Sequence, residues 1–373
     1  MFVITKLELG GAQTQLLALV KGLDKKRYNL FLFTACNGLL LNDARDMEGL
    51  TLRESRFLDR PINLLKDFLV LGEIRRFIRD NNIHIVHTHS SKTGILGRWA
   101  AKLEKVRIVV HTVHGWSFND YQSIWKRAIF KALERKAAKN TNRIIVVSKH
   151  DKEKGIKYKI GSEDKYRIIH YGIDQAAFHK AAKNVKSGLG IEENTPMIGM
   201  VACFKPQKCP EDFIKVAALV AKAIPKVKFV LVGDGVLRNK LERLIGTFKL
   251  NNVVILTGWR RDIAEFLSGI DVFVLTSLWE GMPISVLEAM ASAKPVVVTN
   301  TGGVAEIVYE NKTGFLVSCH DTEIMSVRII TLLKNRQLRL DMGLRARESL
   351  GSAYCYEDMV RNTERVYQEL APL

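Results

Sequence analysis

Two short apolar runs, at residues 272–275 and 295–298, constrain the fold of this 373-residue chain more than any other feature. Each run has the length and the β-branched content of a strand that is buried on both faces. Each is also followed by glycine and a helix-like stretch, which is typical of the parallel sheets of an α/β fold. Ligands of such sheets bind at the carboxyl ends of the strands, so we expect the functional site there.

The segment EGMPISVLEAMA, which lies between these two runs, contains a candidate anion site. It begins with Glu280 and reaches Glu288 eight positions later. A helix that starts at Pro283 places Glu288 in its second turn, because proline suits the first helical position. The unpaired N–H groups at the helix start and the positive end of its dipole then form a phosphate site. These N–H groups belong to Met282, Ile284 and Ser285. Glu288 would point into the same crevice and accept hydrogen bonds from a diol such as a ribose.

Together with the later segment GGVAEIV at residues 302–308, this pair of glutamates resembles the nucleotide-sugar site of retaining glycosyltransferases of family 4. The resemblance implies the α/β GT-B fold, in which two Rossmann-like domains face each other across a cleft. It also implies a last helix that crosses back onto the first domain. We place the acceptor-binding domain at residues 1–183, the nucleotide-sugar-binding domain at 184–354 and the last helix at 355–373.

The resemblance further implies roles for individual residues of the second half. Glu280 would contact hydroxyl groups of the donor sugar, Glu288 the ribose, and Lys208 the donor diphosphate. Relatives usually have arginine where this chain has Cys203, so Lys205 or the helix start would supply the missing positive charge. The backbone near Trp259 and Arg260 would meet the nucleobase. The implied donor site comprises Gly10, Gly11, Lys208, Trp259, Arg260, Glu280, Gly281, Met282, Ile284, Ser285 and Glu288.

Three predicted strands of the first half end in further candidate residues. Gly10 and Gly11 follow a strand at residues 2–7, where glycine lets a backbone approach a phosphate, although a plain turn explains them equally well. By resemblance, they would face the donor phosphates. His114 follows a strand near residue 113 and, by resemblance, contacts the transferred sugar as a catalytic residue beside Glu280 and Lys208. The acceptor-side residues, again by resemblance, are His89 and Lys92. Hydrogen bonding suits His89 better than metal ligation, because no third ligand has suitable spacing.

The positive charge of the chain is concentrated in its first half. Residues 1–186 contain 35 Lys and Arg against 18 Asp and Glu, whereas the remainder contains 22 and 21. This asymmetry indicates an anionic partner: nucleic acid, acidic lipid headgroups or a phosphorylated acceptor. Residues 121–143 combine a cationic face with an apolar stripe, as does a helix that lies on an anionic bilayer. A surface helix that packs on a core looks the same, and the charge asymmetry favours the membrane. The residues expected to face it are Trp125, Lys126, Arg127, Lys131 and Arg135.

The sequence contains no pair of aspartates two positions apart, which is the pattern that holds the divalent ion of some transferases. Its five cysteines have no paired short spacing either. We therefore expect neither a metal nor another cofactor, and stabilisation of the leaving diphosphate by preorganised electrostatics. The first residues lack the features of a signal peptide, and no apolar run is long enough to span a membrane. We therefore expect a cytoplasmic protein that associates peripherally with the inner face of the membrane.

These observations predict a retaining, metal-independent glycosyltransferase of hexosyltransferase type in polysaccharide or glycolipid assembly. The donor would be a nucleotide sugar, most simply UDP-linked, and the acceptor a phosphorylated, lipid-linked or membrane-surface glycan. Two alternatives stay open. A sugar-nucleotide epimerase or a phosphorylase shares the fold, and a basic nucleic-acid-binding protein fits the charge. The chain lacks zinc-finger and RNA-recognition signatures, so we expect no nucleic-acid partner.

Overall fold

Two parallel sheets, one in each half of the chain, form the framework of the structure, a computed structural model that describes residues 1–180 and 185–371. The chain divides into two compact units. Met1–Gly172 and Tyr356–Leu373 form the first unit, and Ile173–Cys355 forms the second. The domain boundary that we predicted between residues 183 and 184 lies outside the described residues.

The sheet of the first unit has seven strands in the order β3-β2-β1-β4-β5-β6-β7. These strands are β1 (Phe2–Val3), β2 (Leu30–Ala35), β3 (Leu50–Ser55), β4 (Ile85–His89), β5 (Ile108–Val113), β6 (Arg143–Val146) and β7 (Tyr166–Ile168). Because the chain order runs outward from β1 in both directions, the point between β1 and β4 is where ligands of such sheets bind. The strand predicted at residues 2–7 is shorter in the structure, but backbone hydrogen bonds of Ile4 and Thr5 continue its pairing with β2.

Helices cover both faces of this sheet. They are α1 (Gly11–Gly22), α2 (Leu41–Arg45), α3 (Leu64–Asp80), α4 (Ser91–Leu103), α5 (Ile124–Ala138) and α6 (Lys149–Lys157). Successive strand residues face opposite sides. Phe2 therefore packs in the cluster that contains α1, whereas Val3 packs in the cluster that contains α3 and α4.

The sheet of the second unit has six strands in the order β10-β9-β8-β11-β12-β13. They are β8 (Met197–Val201), β9 (Lys228–Val232), β10 (Val254–Gly258), β11 (Val272–Leu275), β12 (Val296–Thr299) and β13 (Gly314–Val317). Its helices are α7 (Gln175–Lys180), α8 (Val185–Gly188), α9 (Pro210–Ala223), α10 (Arg238–Thr247), α11 (Ile263–Gly269), α12 (Ile284–Ala291), α13 (Thr322–Lys334) and α14 (Arg336–Glu348). The two apolar runs that introduced the sequence are β11 and β12, and they pair in parallel. Both are fully buried, as their continuous apolar composition predicts.

The last helix, α15 (Tyr356–Leu370), belongs to the first unit and packs against α1. Val360 and Tyr367 lie on its buried side. At Gly22 of α1, an added Cβ atom would stand 2.6 Å from a methyl group of Val360, so the two helices approach closely. The Tyr367 hydroxyl is hydrogen-bonded to Nδ1 of His87, 2.6 Å away, which ties the helix to β4.

None of the helices in the described part of the chain is both long enough and apolar enough to cross a membrane.

Candidate functional site

Two turns at the carboxyl ends of β8 and β11 form the centre of the candidate site in the second unit. These strands are neighbours in the sheet. The first turn contains a 3₁₀ helix, Pro206–Lys208, and the second contains Trp279. The Gln207 side-chain amide donates to the carbonyl of Trp279, 2.8 Å away, and the N–H of Leu278 donates to the carbonyl of Gln207 at 2.8 Å. These bonds hold the two turns together.

This arrangement pairs Lys208 with Glu280. The Lys208 ammonium lies 2.5 Å from the Glu280 carboxylate, whose side chain is only 6% exposed. The sequence separates the two residues by 72 positions, and the resemblance assigned them to different parts of the donor. In the structure they form one charge pair. An anionic ligand that binds Lys208 will therefore compete with Glu280 for the same ammonium group.

A third turn packs against the backbone of Glu280 and Gly281. This turn is a five-residue 3₁₀ helix, Gly302–Glu306. Gly302 has φ +56°, and an added Cβ atom would stand 1.9 Å from the Glu280 carbonyl oxygen. Only glycine fits here, because both the conformation and the space exclude a side chain. The Gly303 N–H donates to the carbonyl of Gly281, 3.0 Å away, and fixes the turn.

The start of α12 presents unused hydrogen-bond donors. We predicted that Pro283 is the first residue of this helix, but in the structure it is the residue that precedes the helix. Its carbonyl accepts from the N–H groups of the third and fourth residues that follow, as a helix start requires. Within residues 1–180 and 185–371, the N–H groups of Met282, Ile284 and Ser285 have no acceptor. Together with the helix dipole, these groups form a positive site for an anion.

Glu288 lies on α12 beyond this helix start and is a neutral acid at neutral pH. Burial raises the pKa of its carboxyl group to about 8. No other described residue forms a hydrogen bond or ion pair with this carboxyl group. A neutral carboxyl group can both donate and accept a hydrogen bond, so it can bind a hydroxyl group of a ligand in either sense.

The raised pKa of Glu288 predicts a pH-dependent stability. The folded protein holds this proton more tightly than the unfolded chain, whose glutamates titrate near 4.3. Stability therefore falls as the pH rises from about 4.5 to about 8. We expect Glu288→Gln to stabilise the second unit by on the order of 2–4 kcal/mol at pH 9 and to have little effect at pH 4.5.

Thermal melting of both proteins across this pH range measures the effect. Melting temperatures that stay parallel from pH 4.5 to pH 9 would contradict the prediction.

In the first unit, His114 has a hydrogen-bond partner at each ring nitrogen. Its Nε2 lies 2.8 Å from Nδ1 of His89, and its Nδ1 lies 2.7 Å from the Tyr171 hydroxyl. Burial lowers the pKa of His114 to about 3 and that of His89 well below its usual value. Both rings are therefore neutral at neutral pH. A contact between His114 and a sugar requires that one of these two hydrogen bonds be exchanged. The sequence did not indicate Tyr171, since it is 57 residues away from its partner.

Three further candidates of the first unit are Gly10, Gly11 and Lys92. Gly10 has an extended φ of −156°, so the turn does not itself require glycine. Gly11 begins α1, and within the described residues its N–H group has no acceptor. Lys92 is held within the protein: its ammonium lies 2.5 Å from the Asp67 carboxylate and donates to the carbonyl of Pro61 at 2.6 Å. In this structure Lys92 joins α4 to the chain before α3.

The predicted nucleobase contacts lie farther along the sheet of the second unit. Trp259 and Arg260 follow the edge strand β10, which β9 separates from β8. This offset is about 10 Å at the usual strand spacing. Arg260 donates from Nε to the Asp262 carboxylate, 3.0 Å away. Cys203 and Lys205, in contrast, follow β8 directly, in the turn that contains Lys208.

One group of potential metal ligands occurs in the described part of the chain: Cys209, Asp212 and His320. The Cys209 thiol donates to the Asp212 carboxylate at 3.2 Å, and Nδ1 of His320 lies 2.7 Å from the same carboxylate. Burial and this hydrogen bond raise the pKa of the Cys209 thiol to about 12, which opposes the thiolate form that a metal needs. Lys215 adds an ion pair to Asp212 at 2.8 Å. Hydrogen bonds within the protein thus account for the cluster.

Helix α5 exposes the first half of its predicted apolar stripe. Trp125 is 82% exposed and Ile129 58% exposed. All four cations expected to face a membrane contact the protein itself. Arg127 pairs with Asp120 at 2.8 Å, Lys131 stands 3.5 Å above the ring of Tyr158, and Arg135 donates to the Tyr158 carbonyl. The ammonium of Lys126, which is exposed, stands 5.9 Å from the centre of the Phe130 ring. The exposed apolar side chains, more than the cations, distinguish this surface.

Comparison with known proteins connects both units to one family. The family model described as Glycosyltransferase Family 4 matches residues 9–177, and the one described as Glycosyl transferases group 1 matches residues 182–349. A UDP-Gal:alpha-D-GlcNAc-diphosphoundecaprenol alpha-1,3-galactosyltransferase of Escherichia coli is 38% identical over 289 residues, which cover 76% of this chain and 75% of that protein. An N-acetyl-alpha-D-glucosaminyl L-malate synthase of Bacillus anthracis is 24% identical and covers 82% and 79%, respectively.

Solved structures agree with the fold. Anabaena Alr3699/HepE in complex with UDP and glucose superposes with a TM-score of 0.85 at 18% identity, over 99% of this chain and 98% of that one. Sucrose-phosphate synthase from Thermosynechococcus elongatus gives a TM-score of 0.86 at 19% identity, with the same coverage. At this level of identity, the similarity concerns the fold alone.

Proposed function

The chain belongs to glycosyltransferase family 4, and from that membership we propose that it transfers a sugar from a UDP-sugar to a lipid-linked glycan acceptor with retention of configuration. The observation that carries the donor part is the charge pair of Lys208 and Glu280 beside the open start of α12. It provides one cation and several unused N–H donors at the carboxyl edge of a parallel sheet. This is the chemistry that a diphosphate requires.

In the proposed reaction, the bond between the anomeric carbon and the donor diphosphate breaks as the acceptor oxygen attacks from the same face. The leaving diphosphate oxygen helps to take the acceptor proton. Lys208 and the N–H groups at the start of α12 stabilise the negative charge on the leaving group, so no divalent ion takes part. When the diphosphate binds Lys208, the Glu280 carboxylate is released to accept from hydroxyl groups of the sugar.

Further residues are assigned on the same basis. Glu288 binds the ribose, and Trp259 with Arg260 borders the nucleobase. His114 remains our candidate for contact with the transferred sugar. To make this contact, His114 exchanges one of its two present hydrogen bonds for one to the sugar. His89 positions the His114 ring, to which it is hydrogen-bonded at 2.8 Å. Gly10 and Gly11 provide backbone N–H groups for the donor phosphates.

The acceptor proposal rests on two observations. The relative with 38% identity has a name that specifies a glycan on diphosphoundecaprenol, which is a lipid-linked acceptor. The first half of this chain also has the large positive excess that an anionic acceptor or membrane surface would attract. We propose that the protein works at the inner face of the membrane, to which it attaches peripherally.

A transfer assay tests this function directly. We expect product when UDP-sugars, but not GDP- or ADP-sugars, are incubated with a glycosyl diphosphate-lipid, and we expect EDTA to leave the rate unchanged. The anomeric configuration of the product is read by NMR. Release of free nucleotide without a glycosylated product would favour an epimerase, and strict dependence on inorganic phosphate a phosphorylase. Either result would overturn the proposal, as would inversion at the anomeric carbon.

Membrane association gives a separate prediction. Burial of an exposed tryptophan side chain in the bilayer interface contributes roughly 1.5–3 kcal/mol. We therefore expect Trp125→Ser to reduce binding to vesicles that contain anionic lipid by at least about tenfold, as measured by vesicle flotation. The matched control is Val236→Ser, because Val236 is 83% exposed but lies in the second unit. Equal binding by the wild type and both variants would contradict a membrane role for α5.

A further inference from the structure

A groove of about 540 Å³ runs between helices of the first unit, and no part of the proposed reaction uses it. Its walls are mainly apolar. Leu64 and Phe68 contribute from α3, Ile95 and Trp99 from α4, and Phe130 from α5. This volume falls within the usual range for sites that hold a small organic ligand. The groove is therefore large enough to bury a substantial hydrocarbon segment.

One end of the groove opens onto an exposed apolar surface. Leu64 and Leu65 are each 82% exposed and Phe68 is 74% exposed. These three apolar residues lie in the first turns of α3, whereas the buried residues of that helix, Val70, Ile74 and Ile78, follow later. Contiguous exposed apolar surface of this kind marks an interaction site in soluble proteins.

The other end of the groove is polar and lies where β1 ends, next to β4. Thr5, Lys6 and Ser90 line it there. Lys6 and Arg60, which also lines the groove, share one carboxylate, that of Glu8. These three side chains therefore carry a net positive charge. The groove thus combines apolar walls, which suit a hydrocarbon chain, with a positively charged end at Lys6 and Arg60, called the positive pole below. This end lies at the edge of the sheet where ligands of this fold bind.

We propose that this groove binds the first part of the hydrocarbon chain of an isoprenoid diphosphate acceptor, with the anionic head at the positive pole. The inference rests on the proposed function, because it specifies how the lipid-linked acceptor is held. An amphiphile with an anionic head and an apolar chain matches both ends of the groove. The open apolar end lets the rest of a long chain remain in the membrane.

Two ion pairs join the helices that line this groove. Arg98 of α4 is fully buried, and its guanidinium lies 2.7 Å from the carboxylate of Glu134 on α5. This pair fixes two of the three helices that form the groove. Lys92, which pairs with Asp67 of α3, fixes the third. Because the groove is already formed, binding of the hydrocarbon chain does not require the helices to lose conformational entropy, and this favours affinity.

Binding of soluble isoprenoid diphosphates to the full-length protein tests the proposal by calorimetry. Each buried methylene group strengthens binding about fourfold. We expect farnesyl diphosphate to bind at least tenfold more tightly than geranyl diphosphate, and both to bind more tightly than inorganic diphosphate. The fluorescence of Trp99 should change on binding of farnesyl diphosphate, and Trp99→Phe should remove that change.

The double variant Leu64→Ser with Phe68→Ser keeps the fold, since both side chains are largely exposed, and should lose at least tenfold in affinity for farnesyl diphosphate. Leu103→Ser is the control, because Leu103 is 53% exposed on α4 but does not line the groove. Equal affinity for farnesyl and inorganic diphosphate, or for the double variant and the wild type, would overturn the groove assignment. The transfer assay distinguishes failure of the groove assignment from failure of the proposed function. If the protein glycosylates a glycan whose diphosphate carries only a methyl group, but does not bind farnesyl diphosphate, the groove assignment is wrong and the proposed function stands.

Discussion

Replacement of Lys208 by alanine should lower the kcat of sugar transfer by about 100- to 1000-fold. This range is typical when one preorganised group that stabilises transition-state charge is removed. In the proposed reaction Lys208 supplies the positive charge beside the start of α12, and Cys203 adds no second one. The N–H groups of the helix start remain in the variant, so a residual rate above background is expected.

A surface lysine of the same unit is the matched control for Lys208. Lys240 also pairs with a carboxylate, that of Glu211 at 2.9 Å, but its side chain is 55% exposed. We expect Lys240→Ala to retain the wild-type kcat. Because Lys208→Ala leaves the buried Glu280 carboxylate without its partner, thermal melting of this variant is measured beside its kcat to separate misfolding from lost catalysis. A kcat for Lys208→Ala within threefold of wild type would show that the lysine does not stabilise the leaving group.

The second large effect concerns stability. We expect Glu134→Ala to destabilise the first unit by about 3–5 kcal/mol, because it leaves the fully buried Arg98 guanidinium without its counter-ion. The environment cannot compensate: Nη1 of Arg98 already lacks a hydrogen-bond partner among the described residues. The remaining bond, from Nε to the carbonyl of Gly94 at 2.6 Å, does not neutralise the charge.

Chemical denaturation of Glu134→Ala and the wild type measures this loss, and two further changes define its cause. The double variant Arg98→Met with Glu134→Leu should recover most of the stability, since an apolar pair of similar volume can replace a buried ion pair. The exposed pair of Arg45 and Glu54, 2.8 Å apart, is the control, and Glu54→Ala should cost at most about 1 kcal/mol. A loss below about 1 kcal/mol for Glu134→Ala would mean that water reaches Arg98.

Local sequence pattern was sufficient for most elements of both sheets. The strand predicted at residues 272–275 has those bounds in the structure, because a short, uninterrupted apolar run is typical of a strand that is buried on both faces. The strand β3 was missed, since residues 36–60 carry no recognisable pattern. As an edge strand it alternates between half-buried and exposed residues, and its pairing with β2 decides its conformation.

The apolar periodicity of α3 does not define which part of that helix is buried. Apolar residues at 64, 65 and 68 continue the helical period of the buried positions, and a periodic pattern does not say where along a helix the core ends. Packing decides that boundary, which falls near Val70. The exposed start of α3 is the part that forms the groove.

The sequence by itself determined the family and the parallel α/β architecture, because these depend on short-range spacing within single strand–turn–helix units. Only the tertiary structure decided which distant side chains meet. Lys208 meets Glu280, His114 meets Tyr171 and His87 meets Tyr367 across 72, 57 and 280 positions of the chain, respectively. Such pairs depend on which strand ends and helices become neighbours. That choice is made by the burial of whole faces of the sheets, and no local pattern encodes it.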